Sequence, residues 1–128
     1  MDIVGRMGVS RPWEHVVGYS RAIRKGQLIE VSGTTATTAD GQVMYPYDAY
    51  EQMKYILQEI KVAIEELGAT FDDTMRTRIS LTNIEDWPSV ATAHREVFNS
   101  VMPASSFAEI SKLMLPELCV QVEMTLWV

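Results

Sequence analysis

Three observations predict an α+β fold for this chain. Two segments repeat their apolar residues at helical spacing, and several shorter ones read as strands. The resulting order, β-β-α-β-α-β-β, sets both helices against one face of a sheet. The 128 residues are 47% hydrophobic, enough for the core of a single domain over residues 1–128, and no linker, repeat or low-complexity stretch divides them.

Ser20–Arg24 and Gln27–Ser32 flank Lys25-Gly26, a short connection ending in glycine, which predicts a β-hairpin. Gly33-Thr34-Thr35 opens a polar loop to about Tyr47, with Asp40-Gly41 as a second turn signal. Asp48 followed by Glu51 has the spacing of a capping box. From there Met53, Ile56, Leu57, Ile60, Ala63, Ile64 and Leu67 form a helical stripe that ends at Gly68, while Glu51, Gln52, Gln58, Glu59, Glu65 and Glu66 fall mainly elsewhere around the helix.

Met75–Thr82 alternates, with Thr77, Ile79 and Leu81 on one face and Arg76, Arg78, Ser80 and Thr82 on the other. Asp86 is the expected cap of a second helix with Pro88 in its first turn, where a missing N–H costs nothing. Its apolar stripe is Trp87, Val90, Val97, Phe98 and Val101, with His94 among them. Strands over about Ser106–Leu113 and Cys119–Val128 complete the chain. In the last strand Val120, Val122, Met124, Leu126 and Val128 alternate with Cys119, Gln121, Glu123, Thr125 and Trp127. That second face is neither polar nor apolar, which predicts contact with another subunit.

The net charge of −6 is uneven: residues 1–25 carry +3 (Arg6, Arg11, Arg21, Arg24 and Lys25 against Asp2 and Glu14), leaving −9 for the rest. A body of that sign repels a phosphate backbone, so no nucleic-acid partner is expected. The basic segment is either solvated or set to meet an anion. The apolar runs are far shorter than the ~20 residues of a membrane span, and the N-terminus lacks the pattern of a signal peptide. The single cysteine, Cys119, excludes an internal disulfide and offers no metal-ligand spacing. No membrane, metal or cofactor is expected, and the expected location is cytoplasmic.

The C-terminal run Pro103-Ala104-Ser105-Ser106-Phe107, Leu113-Met114-Leu115-Pro116 and Val120-Gln121-Val122-Glu123 resembles the signature of the Rid (YjgF/UK114) family. Further matches are Val17-Gly18-Tyr19-Ser20, Val31-Ser32-Gly33-Thr34, Asp48-Ala49-Tyr50, Leu67-Gly68-Ala69 and Arg76-Thr77-Arg78-Ile79, so the resemblance runs from about Arg11 to Val128. It implies a chorismate-mutase-like fold, a homotrimer and small-molecule clefts between neighbouring subunits. It also implies cofactor-free hydrolysis of reactive imines and enamines. In competent relatives an arginine in the Pro-Ala-Arg segment clamps the substrate carboxylate, and a glutamate on the last strand positions or activates water. A tyrosine and a serine, here Tyr19 and Ser32, line the cleft.

This chain departs from that pattern at four cleft positions. Ser105 stands in the arginine slot and Gln121 in the first glutamate slot, while Phe107 replaces a frequent cysteine and Ala91 an asparagine found in some relatives. A charge-assisted hydrogen bond contributes roughly 1.5–3 kcal/mol, so loss of the clamp alone costs about one to two decades of affinity. Gln121 orients a water but cannot take its proton, forfeiting general-base help of about 10²–10⁴-fold. Glu123 is either a displaced base or a structural acid paired across the trimer. Arg76 and Arg78 are either ligand cations or solvated strand residues. His94 fits a packed, hydrogen-bonded ring better than an acid or base, and Cys119 a small packed residue.

The expected site is therefore catalytic Gln121 and Tyr19, with Ser105, Ser32, Phe107, Ala91 and Glu123 binding ligand. Two functions follow: a cofactor-independent hydrolase or deaminase acting on a small nitrogen compound other than a standard 2-imino acid, or a non-catalytic small-molecule-binding trimer. A nuclease, attributed to some relatives, fits least, because the body is acidic and no paired-carboxylate motif is present.

Overall fold

The computed structural model describes residues 4–7 and 14–128; Arg11, in the basic segment, lies outside them. Six strands form one sheet: β1 (Val4–Met7), β2 (Ala22–Lys25), β3 (Leu28–Thr34), β4 (Thr74–Leu81), β5 (Ala104–Glu109) and β6 (Val120–Trp127). Their order is β1-β2-β3-β6-β4-β5. Every pairing is antiparallel except β4 with β5, which is parallel and joined through a helix. The helices are α1 (Glu14–Val17), α2 (Ala49–Glu66) and α3 (Trp87–Phe98), and the two long ones, α2 and α3, cover one sheet face. The predicted α+β order is thus present, with β1 and α1 added at its N-terminal end. Among the described residues no helix is long and apolar enough to cross a membrane.

The expected α2 forms for the expected reasons. Asp48 accepts from Glu51 N at 3.0 Å, and Gly68, at φ +86°, takes the left-handed turn past the helix end. Met53, Ile56, Ile60 and Ile64 are fully buried against the sheet. Gln52 departs from expectation: it is fully buried as well. Its Nε2 donates to Tyr45 O and Glu117 O (both 2.9 Å), and its Oε1 accepts from Cys119 N at 2.8 Å. One amide thereby ties α2 to the loop before it and to the entry of β6.

Other boundaries shift. Lys25 pairs with Leu28, so the two-residue turn is Gly26-Gln27 with Gly26 leading at φ +61°. Asp86 makes no side-chain cap; a 3₁₀ turn at Ile84–Asp86 runs directly into α3, and Asn83 caps that turn by accepting from Glu85 N at 3.0 Å. Trp87 is exposed, outside the buried stripe. Strand β5 begins at Ala104, two residues before the expected start, because it follows β4 in register from Arg76 onward.

The basic N-terminal segment is partly structural. Arg21, 7% exposed, donates to Glu59 O (3.1 Å) and pairs with Glu59 Oε2 (3.3 Å). Arg24 donates to Leu67 O at 2.6 Å, placing a cation at the negative end of α2.

Candidate functional site

Register fixes which side chains share a face. On β4, Thr77 and Ile79 pair with Ser105 and Phe107 on one side and with Met124 and Val122 on the other. All of these point toward the helices. Arg78 and Ser80 pair with Glu123 and Gln121 of β6 and point to the open face. The expected site residues therefore divide into two groups that one chain holds apart, with Ser105 and Phe107 on the helix side and Gln121 and Glu123 on the other.

The helix-side group lies at the β5 edge. Thr77, fully buried, has its hydroxyl 2.6 Å from Ser105 Oγ and 2.9 Å from His94 Nε2. Ser105 is also 3.2 Å from Pro103 O. The His94 ring lies between Phe98 (centroids 4.6 Å apart) and Phe107 (5.9 Å). Burial lowers the pKa of His94 below its ordinary value, so the imidazole is neutral at neutral pH. Ala91 lies one turn before His94 on α3 and is half-buried. A cavity of about 340 Å³ adjoins this cluster, lined by His94, Arg95, Phe98, Asn99, Met102 and Pro103.

The open-face group centres on Gln121. Its amide lies directly over Gly33: a Cβ on that glycine would stand 2.7–2.9 Å from the amide atoms. Only the absence of a side chain at position 33 leaves room for the amide. Ser32, next in the chain, donates to Ser20 O at 2.6 Å, and Ser20 is the neighbour of half-buried Tyr19. Ser32 and Gln121 thus meet at β3, and Tyr19 is one residue before the carbonyl that Ser32 holds. Glu123 stands opposite Arg78 in register, yet Arg78 forms no ion pair among the described residues. Arg76 reaches Ser106 Oγ at 3.4 Å, and its buried Nε has no partner among the described residues. Neither arginine shares the Ser105 side, so neither fills the vacant arginine slot within one chain.

Cys119 is buried and its thiol is pushed up to about 11, first by burial and then by the Asp86 and Asp48 charges. It is a packed residue without thiolate chemistry at neutral pH. Among the described residues no cluster of three or more His, Cys, Asp or Glu could hold a metal ion. Sequence reasoning missed the role of Thr77. Its signal was a polar residue on the apolar face of an alternating strand, in register with Ser105.

A two-helix, mixed-sheet layer with chemistry-bearing side chains on both sheet faces defines a small α+β ligand-site scaffold. The chain belongs to the endoribonuclease L-PSP family, whose pattern matches residues 10–128. It is 33% identical to a solved Mycobacterium tuberculosis member of the YjgF/YER057c/UK114 family, with a TM-score of 0.88 over 98% of this chain and 100% of that one. A Streptomyces coelicolor protein without assigned function is 33% identical over 123 residues, covering 95% of this chain and 90% of that protein. A 2-iminobutanoate/2-iminopropanoate deaminase of Dermatophagoides farinae is 24% identical over 95 residues, 74% of each chain. The Rid resemblance and the fold read from the sequence both hold.

Proposed function

We propose that this protein is a homotrimer whose clefts, between neighbouring subunits, bind and hydrolyse a small reactive imine or enamine without a cofactor, and that its substrate is not a standard 2-imino acid. The observation that carries the reading is the division of Ser105 and Gln121 between opposite faces of one sheet. A cleft holding both must draw them from two subunits. The deaminase among the relatives supports imine chemistry. The hydroxyl at Ser105 supplies no charge, which argues against a carboxylate clamp of the usual kind. Tyr19 and Ser32 line the cleft beside Gln121, which orients the water, while Phe107 and Ala91 make its far wall less polar. Glu123, opposite Arg78, serves the subunit contact.

The alternative, a trimer that binds a small molecule without turnover, is favoured by one feature: the Gln121 amide can hold a water but cannot take its proton. The test is a semicarbazide-competition assay with 2-iminobutyrate and 2-iminopropionate generated in situ, on wild type and on the Ser105→Arg/Gln121→Glu double variant. A silent wild type with an active double variant is the expected result. Wild-type turnover equal to that of a competent relative would show that another cation, Arg76 or Arg78 on the open face of a neighbouring subunit, holds the carboxylate.

A further inference from the structure

Behind the slot where the family's arginine stands, three side chains form a continuous hydrogen-bonded line. Ser105 is exposed, Thr77 is fully buried and His94 is half-buried, with contacts of 2.6 and 2.9 Å joining them. A threonine hydroxyl holds one proton and can accept another bond, so Thr77 can pass a proton in either direction. Phe98 and Phe107 hold the His94 ring from two sides. The ring also lines the 340 Å³ cavity, which gives it a route to solvent.

Of the charged groups near the ring, Arg95 is exposed and lines the same cavity, whereas the others are engaged elsewhere or face away. Glu96, beside the ring on α3, is exposed and accepts from Tyr50 Oη at 2.6 Å. On β5, Glu109 accepts from Ile84 N at 2.9 Å. Asp73, in the turn next to Phe71, accepts from Thr70 N at 2.9 Å, and Arg76 points to the other sheet face. Burial, with no charged partner, is what sets the protonation of the ring.

We propose that Ser105, Thr77 and His94 form a proton relay, in which the Ser105 hydroxyl meets the ligand and His94 Nε2 is the terminal proton acceptor. The proposal rests on the imine-hydrolase reading and supplies the base that Gln121 cannot be. As water attacks a protonated imine, its oxygen bonds to the carbon and the C=N π pair moves onto nitrogen. The proton lost by water passes to Ser105 as the Ser105 proton passes to Thr77 and that of Thr77 to His94 Nε2. The relay then runs in reverse and protonates the amine nitrogen. The C–N bond breaks with its electron pair, and the hydroxyl proton of the intermediate leaves with the ammonia as ammonium, giving the carbonyl product. Ser105 is the catalytic group; Thr77 and His94 act through it.

Two measurements decide the matter. Ring ¹⁵N NMR of wild type, with His94 assigned against His94→Gln, is expected to show an unprotonated Nε2 whose shift moves in Thr77→Val. Turnover of 2-iminobutyrate and of a carboxylate-free ketimine is then followed against pH. For whichever probe is hydrolysed, Thr77→Val and His94→Gln are expected to lower kcat by about 10²-fold, the low end of general-base effects, with KM little changed. The acidic limb of the wild-type profile should vanish in both, and Ser105→Thr should keep it where Ser105→Ala does not. A ring protonated on Nε2 at neutral pH overturns the relay, whatever the turnover. An unchanged limb in Thr77→Val overturns it too. A wild type that hydrolyses neither probe while its Nε2 accepts from Thr77 sinks the hydrolase reading and, with it, the catalytic use of the relay, whereas hydrolysis with an unchanged limb sinks the relay alone.

Discussion

The two faces of the sheet are built on different terms. Under the helices, Ile29, Val31, Ile79, Leu81, Val120, Val122, Met124 and Leu126 are all at most 3% exposed. These apolar positions are covered within the chain, although the buried Thr74 Oγ1 on the same face has no hydrogen-bond partner among the described residues. The open face carries Arg76, Arg78, Ser80, Gln121, Glu123 and Thr125, with Leu28 opposite Trp127 at its end. Trp127 is 52% exposed, and among the described residues the Arg76 Nε lacks a partner and Arg78 stands opposite Glu123 without an ion pair. Buried polar groups are normally paired, and large apolar surface is normally covered. One face is covered within a single chain; the other leaves large apolar and charged side chains exposed.

The largest expected effect comes from breaking the covered side. Gln52→Leu keeps volume near α2 but leaves Cys119 N without its acceptor, while Tyr45 O and Glu117 O each lose one bond and keep those from Asp48 N and Tyr47 N. A buried group left unpaired costs about 1–3 kcal/mol, and the two weakened carbonyls add to the Cys119 N–H, so a loss on the order of 2 kcal/mol is expected. Chemical denaturation checks it, and a change below ~1 kcal/mol would mean that water replaces the amide.

Gln52 also marks where sequence reading stopped. The alternation in β4 and β6 and the α2 stripe were legible because burial on one face imposes a period. Gln52 lies at the same helical spacing as Ile56, yet its polarity set it on the wrong side; only its three backbone partners, supplied by distant segments, justify burial. The Asp86 cap failed similarly, since a 3₁₀ turn feeding α3 leaves no free helix end at that residue. The expected site residues were named from the family pattern alone. The division into two faces was not legible, because it depends on the β4–β5 register across a helical crossover.

A pH series probes the covered side more gently. His94, lowered by burial, is harder to protonate in the folded chain than in the unfolded one. The unfolded chain then binds more protons, so this contribution is whole above the ordinary histidine value of about 6.5 and declines as pH falls through it toward the lower folded value. Cys119 acts at the other end: its raised thiol stabilises the fold below the ordinary value of 9.0, and that contribution fades as pH rises from there to about 11. Unfolding curves of His94→Gln and Cys119→Ala, each compared with wild type, should converge or diverge in those two windows and nowhere else. A wild-type difference that stays constant with pH would assign the residue a packing role alone.

On the open face the same kind of substitution should leave the fold intact. Trp127→Ser removes exposed surface, and exposed changes usually stay within about 0.5 kcal/mol. The expected outcome is an unchanged circular dichroism spectrum with a smaller assembly in sedimentation velocity. An unaltered assembly would place the subunit contact away from the Leu28–Trp127 corner.

Gly33→Ala is the finest cut, because it acts on the open face through a single side chain. The added Cβ would stand 2.7–2.9 Å from the Gln121 amide, closer than real contacts allow. Gly33 is not in the left-handed region, so alanine suits the backbone itself, and the relief must come from rotation of Gln121. Rotating one half-buried glutamine costs little, of the order of 0.5–1.5 kcal/mol for an off-rotamer torsion. Stability should therefore barely move, while any ligand or water held by the amide loses its anchor. Gln121→Ser, which shortens the side chain, should abolish the effect: in a double-mutant cycle Gly33→Ala then changes neither binding nor turnover. If Gly33→Ala instead impairs the Gln121→Ser background as strongly as wild type, the glycine serves the backbone rather than the amide. The link between Gln121 and the Ser32–Tyr19 side of the cleft would then have to run through another contact.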